Sequence, residues 1–408
     1  MKDQMMNPLK HLTFGGRIYG DNLVAGKTYT GIYTDTDFKG WSLKSRKPAQ
    51  EHQIRLALAT LQCENRQTGK QCSIKPSRKF KTDKKAKQKT RAVWNSYWKR
   101  SYVFIDSGKI GSDYWKVGRN YQLFRYMLGC NAYGSEPTKF NGGLFTFDPV
   151  HTDSTRVFTP DFRLWGGGTM TAQNQRLVYF PMLKSGDFDM MKPQFDFYER
   201  MLDNAKLRTK VYWNHEGACF SEQIENFGLP NLAEYDWKPR HEGFPVGVDS
   251  NPWLEYTWDT ALEFALMMFD THLYNNEPIV LHLPFIESLL TFFDEHYSYL
   301  ALRRGTNKLD GDGHLVLYPG SACETYKMAT NATSTVAALK VITEKLLELP
   351  ELDATQREHW SGFLKRIPPF PIVKCKVKRQ SHRQRCGKES IIQKFRHSIP
   401  YIRGEYTE

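Results

Sequence analysis

The alternation of apolar and polar residues changes character near residue 76. Before that point, short alternating runs at 28–33 and 54–62 lie in sequence rich in Gly, Thr and Tyr. Successive strand side chains point to opposite faces, so this period of two predicts antiparallel strands. Gly15-Gly16, Gly20-Asp21 and Gly40 mark the expected turns. The strands are too few to close a sandwich, so residues 1–72 are expected to form part of one.

From Pro76 the pattern is helical, and a proline suits a first helical turn. Trp94 and Trp98, at i and i+4, share a face, while intervening lysines can lay their stems along a neighbour. Residues 73–113 therefore read as a basic linker helix region. Beyond about residue 114 amphipathic helices dominate. Residues 253–275 place Leu254, Trp258, Ala261, Leu262, Ala265, Met268 and His272 on one stripe. Leu283, Ile286, Leu290 and Phe293 do the same within 279–298, and Val336, Leu339, Ile342 and Leu346 within 331–349, which stops at Pro350. A further helix is expected over 353–366, ended by Pro368-Pro369. Long loops at 134–170, 213–252 and 303–330 separate these helices, and loops longer than about 15 residues are uncommon without a function. The fold class expected is mainly α: a helical toroid over 114–370 with its loops gathered at one rim.

Residues 158–189 hold no single periodicity until Leu177, yet they gather Asp161, Arg163, Trp165, three glycines, Gln173, Asn174, Gln175, Arg176 and Tyr179. Aromatic faces stack on apolar sugar faces while amides and acids take hydroxyls, so Trp165 and Tyr179 beside these polar groups suggest a sugar-binding wall. The bland alternative is a surface loop with an aromatic anchored in the core. Asp161 with Arg163 is either a structural ion pair or a substrate contact.

Charge changes this picture little. The net charge is +13, but residues 70–101 carry twelve Lys/Arg against Asp83 alone, and residues 371–408 carry ten against three Glu. Removing +11 and +7 leaves the remainder at 13 − 11 − 7 = −5. Nucleic-acid binding would thread base-stacking aromatics through the basic run. Phe80 is the only one between Lys75 and Arg91, so a solvated face is expected and no nucleic acid. At 40% hydrophobic and 14% aromatic residues the chain is globular. Its seven cysteines contain no CxxC pair, no run approaches the length of a membrane span, and the N-terminus lacks the apolar stretch of a signal peptide. No cofactor or metal is expected. Asp310-Gly-Asp312-Gly-His314 has a calcium-loop flavour, but Ser321 stands where such a loop needs its bidentate Glu, so a turn is expected. Asn331-Ala-Thr333 opens a helix, where Asn and Thr are ordinary caps.

The order of elements, with TAQNQRLVYFPML (171–183), HEGACFSEQIENFGLP (215–230) and YPGSACETY (318–326), resembles bacterial glycoside-hydrolase-like proteins related to glycoside hydrolase family 95. That family's characterised members are inverting α-L-fucosidases and α-L-galactosidases. Their layout is an N-terminal β-sandwich, a helical linker, an (α/α)6 barrel and a C-terminal β-domain. The resemblance covers roughly residues 1–370 and is closer to an uncharacterised branch, so the substrate does not carry over. It implies an exo-acting inverting hydrolase of an oligosaccharide or polysaccharide, periplasmic or secreted in a full-length parent. Glu324 corresponds to the family's general acid. The family's Asn-x-Asn, which positions the attacking water, is represented by Asn174, with Ala172 at the first position and Gln173 or Gln175 as substitutes. The family's general base lies late in the barrel and has no counterpart before Pro371.

Inverting hydrolysis needs one protonated carboxyl at the leaving oxygen and a second group that activates water. Ala322 and Cys323 beside Glu324 are expected to desolvate it and favour its protonated form. Glu216 and Glu222, near Trp213 and His215, are either sugar-hydroxyl ligands or candidate bases, against the alternative of ordinary first-turn glutamates. Seven or eight helices are visible where an (α/α)6 toroid has twelve, and the basic tail 371–408 has no helical period. The expectation is a chain that stops inside its barrel, lacking the base. The alternative function is then a catalytically inactive carbohydrate-binding protein of the same fold.

Overall fold

A computed structural model describes residues 3–62, 84–105, 108–130, 133–138, 154–155, 157–160, 170–230, 242, 247–249, 251–324 and 326–372. These residues are mainly helical, with small antiparallel sheets. The chain divides into two compact units, Met1–Glu295 and His296–Glu408.

In the first unit, β1 (Leu12–Tyr19) pairs with β4 (Arg55–Gln62), and β2 (Leu23–Tyr33) pairs with β3 (Thr36–Ser45). Both expected strand runs are present, the first within a longer strand. Gly20-Asp21 lies between β1 and β2 as expected. Gly15-Gly16 and Gly40 do not turn the chain; they lie inside β1 and β3. Gly40 stands opposite Tyr29, and a Cβ there would come within 2.4 Å of the Tyr29 ring. Its missing side chain makes room for a cross-strand aromatic. The reversal between β2 and β3 falls at Thr34-Asp35 instead, with Thr34 at φ 57°.

Helices α1 (Lys84–Arg100) and α2 (Asp113–Cys130) follow. Trp94 and Trp98 share a face as expected, but the residue buried between them is Tyr97, whose hydroxyl donates to the Arg125 carbonyl. Arg125 lies over the Tyr97 ring at 4.1 Å and pairs with Asp187 at 3.1 Å, both side chains being almost wholly buried. Arg100 reaches Asp187 and Asp189, so α1 and α2 are bound by charge to the segment after the next helix.

That helix, α3 (Ala172–Ser185), starts five residues before the periodicity at Leu177 suggests. It closes at Gly186, whose φ of 71° is the left-handed conformation glycine adopts without penalty. Then come α4 (Lys192–Arg200), α5 (Leu202–Trp213), α6 (Pro252–Tyr256), α7 (Thr260–Asn275) and α8 (Leu283–Arg303), within which the division between units falls. The single helix expected over 253–275 is broken at 257–259. Asn251 caps α6 by accepting from the Trp253 N–H, and the Thr257 hydroxyl turns back to the Trp253 carbonyl. Tyr198, Phe220, Phe264 and Phe285 form the aromatic centre of this unit, with Tyr198 4.7 Å from Phe264.

In the second unit α9 (Thr333–Leu347) and α10 (Ala354–Arg366) pack together, burying Val336, Leu339, Ile342 and Leu346 with Trp360 and Phe363. A capping box of Asp353 and Gln356 starts α10. Asn331 does not cap α9: Ala332 holds the cap position, and the Asn331 side chain accepts from the Leu317 N–H instead. Residues 310–314 form the expected turn, with the Asp310 carboxylate accepting from the Asp312 and His314 N–H groups. Among the described residues no helix is long and apolar enough to cross a membrane.

Candidate functional site

The N-terminus of α3 organises a polar cluster inside the first unit. A helix leaves its first N–H groups without internal partners. Thr171, at the cap position, makes no side-chain capping bond. Glu222 takes over that task from across a two-residue antiparallel pairing, Met170–Thr171 with Gln223–Ile224. Its carbonyl accepts from the Ala172 N–H at 2.9 Å, and its carboxylate Oε1 accepts from the Gln173 N–H at 2.8 Å. Its second oxygen, Oε2, is buried without a hydrogen-bond partner among the described residues.

Arg176, one turn further along α3, pairs with Glu263 of α7 at 2.6 Å. Glu263 Oε2 is likewise buried and unpartnered among the described residues. Asp259, buried just before α7, adds a third acid close enough to influence both glutamates. Burial disfavours the ionised forms and the neighbouring acids act in the same direction. The Gln173 N–H and Arg176 oppose them at Glu222, and Arg176 at Glu263. Desolvation wins at both: Glu222 is pushed up to about 8 and Glu263 to about 7. Glu222 is therefore protonated at neutral pH, while Glu263 is poised near half-ionisation. The two differ in access. Glu222 is 1% exposed, whereas the Glu263 side chain retains 15% exposure beside Arg176 at 22%. Gln173 is exposed and Asn174 half-buried at the same helix end. Two buried carboxyls of raised pKa beside a guanidinium at one helix end are the kind of perturbed cluster that marks a candidate functional site.

The other expected site residues fall in different places. Tyr179 is 1% exposed, its hydroxyl accepting from the Thr138 N–H, so it offers no ring face to a sugar. Gln175 is equally buried and accepts from Gln194 and Tyr198, which makes it part of the core. Gln175 and Tyr179 are buried for one reason: as an i, i+4 pair they lie on the inward stripe of α3. Trp213 ends α5 with its ring near the His215 ring (6.1 Å, nearly parallel) and under the Arg208 guanidinium (4.9 Å). His215 is buried, which lowers its pKa, and its Nδ1 bonds the Glu216 carbonyl. Glu216 is well exposed, paired with Lys210 at 2.8 Å, and lowered in pKa chiefly by that hydrogen bond. Glu324 lies in the second unit, on an exposed loop, so the burial expected from Ala322 and Cys323 is not found. Asp161 and Trp165 lie outside the described residues.

Glu263 and Asp259 are the cluster members that the sequence reading passed over. A signal existed: Glu263 is the one charged residue in the run TALEFALMMF that opens α7. Among the described residues no group of three or more His, Cys, Asp or Glu side chains is placed to hold a metal ion.

Comparison with known proteins adds one match. Residues 1–103 match a family model described as "Domain of unknown function (DUF5703)", the N-terminal part. That stretch ends before α2 and contains none of the cluster residues. No curated protein matches the chain.

Proposed function

We propose that this chain is a carbohydrate-active protein of the inverting, exo-acting glycoside-hydrolase type, built on an (α/α)6-type helical toroid. The observation that supports this reading best is the Glu222–Arg176–Glu263 cluster with its two unpartnered carboxyl oxygens. An inverting reaction needs a carboxyl that accepts a proton from water and another that donates one to the departing oxygen. Glu263 suits the first task, because its pKa of about 7 lies near neutral pH, where a base is most effective. Its carboxylate takes the proton as the water oxygen bonds to the anomeric carbon and the glycosidic C–O bond breaks. Gln173 and Asn174 supply the amides that orient this water. Arg176 limits the charge that Glu263 loses and regains. Within the first unit Glu222, protonated at neutral pH, is the carboxyl that can donate the other proton. The resemblance to the fucosidase family gives the acid role instead to Glu324, a separate reading that does not enlist Glu263.

The alternative is a carbohydrate-binding protein of the same fold without turnover. The near-complete burial of Glu222, spent on holding α3, favours that reading.

Turnover of a panel of aryl glycosides separates these readings. Removing a positioned acid or base costs about 10²–10⁴-fold in rate. Glu263→Gln is expected to lose at least 100-fold, and Glu324→Gln or Glu222→Gln identifies the acid. Saturable sugar binding with no turnover would favour the binding protein. The absence of both turnover and sugar binding would overturn the proposal.

A further inference from the structure

The ribbon formed by β1 and β4 turns its apolar side to solvent. Opposed residues in an antiparallel pair share a face. The register sets Phe14 against Thr60, Gly16 against Leu58 and Ile18 against Leu56. Leu12, Phe14, Ile18, Leu56 and Leu58 therefore lie together on one face, and each is between 41% and 82% exposed. The positions of reduced exposure, Gly15, Tyr19, Arg55, Ala57 and Ala59, all lie on the other face. An antiparallel sheet with one solvated side ordinarily packs its apolar face on the core. In this ribbon the covered side holds alanines and an arginine, and the large apolar residues point outward.

Such a face calls for an occupant. At these exposures the five side chains present on the order of 500 Å² of apolar surface, taking about 150–200 Å² for each when fully exposed. Apolar patches of several hundred Å² are commonly functional. A two-stranded ribbon is also only marginally stable until something packs on its apolar side.

The chemistry of the face selects the partner. Its remaining members are Gly16, Thr60 and Gln62, so it carries no charge. A charged partner would find no complement there. A second copy of the same face fits, because apolar meets apolar and no like charges are brought together, although each chain carries a net charge of +13. Two such faces bury about 1,000 Å² in total, the area at which a specific interface begins. Edge-to-edge pairing of two ribbons would leave both apolar faces in water. Stacking them face to face, with about 10 Å between the sheets, covers both.

We propose that the apolar face of the β1–β4 ribbon is a homodimer interface. Two copies pack their Phe14 and Leu58 sides together across a twofold axis, and the two ribbons form a two-layer sandwich. The Glu222–Glu263 cluster takes no part in this interface, which stands independently of the carbohydrate-active reading.

Analytical ultracentrifugation of the full chain over about 1–100 µM covers the affinity that an interface at this lower size limit should have. The expected result is a monomer–dimer equilibrium whose Kd rises at least tenfold in F14S/L58S. The dimer should tighten as salt screens the repulsion between two positively charged chains. Leu56→Thr, which keeps a β-favouring residue on the strand, serves should the double variant not fold. Leu61→Ser removes an exposed leucine from the opposite face and should leave the dimer unchanged. A monomer at every concentration, a dimer indifferent to F14S/L58S and L56T, or equal weakening by L61S overturns the proposal. A dimer loosened by salt does the same. So does a monomer that binds phosphatidylcholine vesicles through Phe14 and Leu58, a result that would give the face to lipid.

Discussion

Replacing Glu222 by Gln isolates the cost of keeping a carboxyl inside the first unit. The ordinary glutamate value of 4.5 rises to about 8 in the folded chain. Between those values the unfolded chain has released a proton that the folded chain retains. The unfolded state therefore binds fewer protons, and stability falls as pH rises. At about 1.36 kcal/mol per pH unit, the loss is roughly 3 kcal/mol by pH 6.5 and roughly 5 kcal/mol at pH 8, where it levels off. Gln has the same size, still offers an oxygen to the Gln173 N–H, and does not titrate. Its extra N–H donors add a penalty of about 1–3 kcal/mol if left unpaired, but that penalty does not depend on pH. The readout is therefore the slope. Urea unfolding followed by circular dichroism at pH 5, 6.5 and 8 should show wild-type stability falling more steeply with pH than E222Q, by about 4 kcal/mol over that range. Parallel pH dependences in the two proteins would refute the burial argument for Glu222, and with it the protonated carboxyl that the cluster requires.

Two further substitutions test the frame that holds the cluster. Asp187→Ala leaves Arg125 buried without its carboxylate partner, and breaking a buried ion pair costs about 3–5 kcal/mol, readable in the same urea experiment. A change below about 1 kcal/mol would show that Ser101 and Tyr97 carbonyls alone suffice for Arg125. Gly217→Ala places a Cβ 2.2 Å from the Phe292 amide nitrogen at a φ of 94°, so both space and backbone oppose it. A loss of about 3 kcal/mol or more is expected, and a neutral result would mean that the loop after α5, packed against Phe292, gives way freely.

Much of the helical part was legible in the sequence because its stripes are long and regular. Leu254, Leu262, Ala265 and Met268, and Val336 through Leu346, all point inward as their spacing predicts. The failures have local causes. Glycines at 16 and 40 looked like turns, but they sit under cross-strand Leu58 and Tyr29, a contact invisible without the pairing register. The start of α3 was hidden because its capping groups come from Glu222, some fifty residues later in the chain. The site divides the same way. Gln173, Asn174, Arg176 and Glu222 were recognisable by type and lie together at one helix end. Gln175 and Tyr179 share that segment yet face the core, since a helix beginning at Ala172 turns them inward. Glu263 was missed because a lone carboxylate on an apolar stripe gives no indication of which arginine it will meet.

The claim that Glu222 and Glu263 form a proton-holding centre open to a sugar is tested most directly by difference infrared spectroscopy of protonated carboxyls across pH 6–9. Wild type, E222Q and E263Q are compared with and without sugars from the glycoside panel. Two carboxyl bands are predicted, titrating near 7 and near 8, one absent from each variant, with the Glu263 band displaced when sugar is added. Carboxyls fully ionised throughout that range, or bands indifferent to every sugar, would contradict the account.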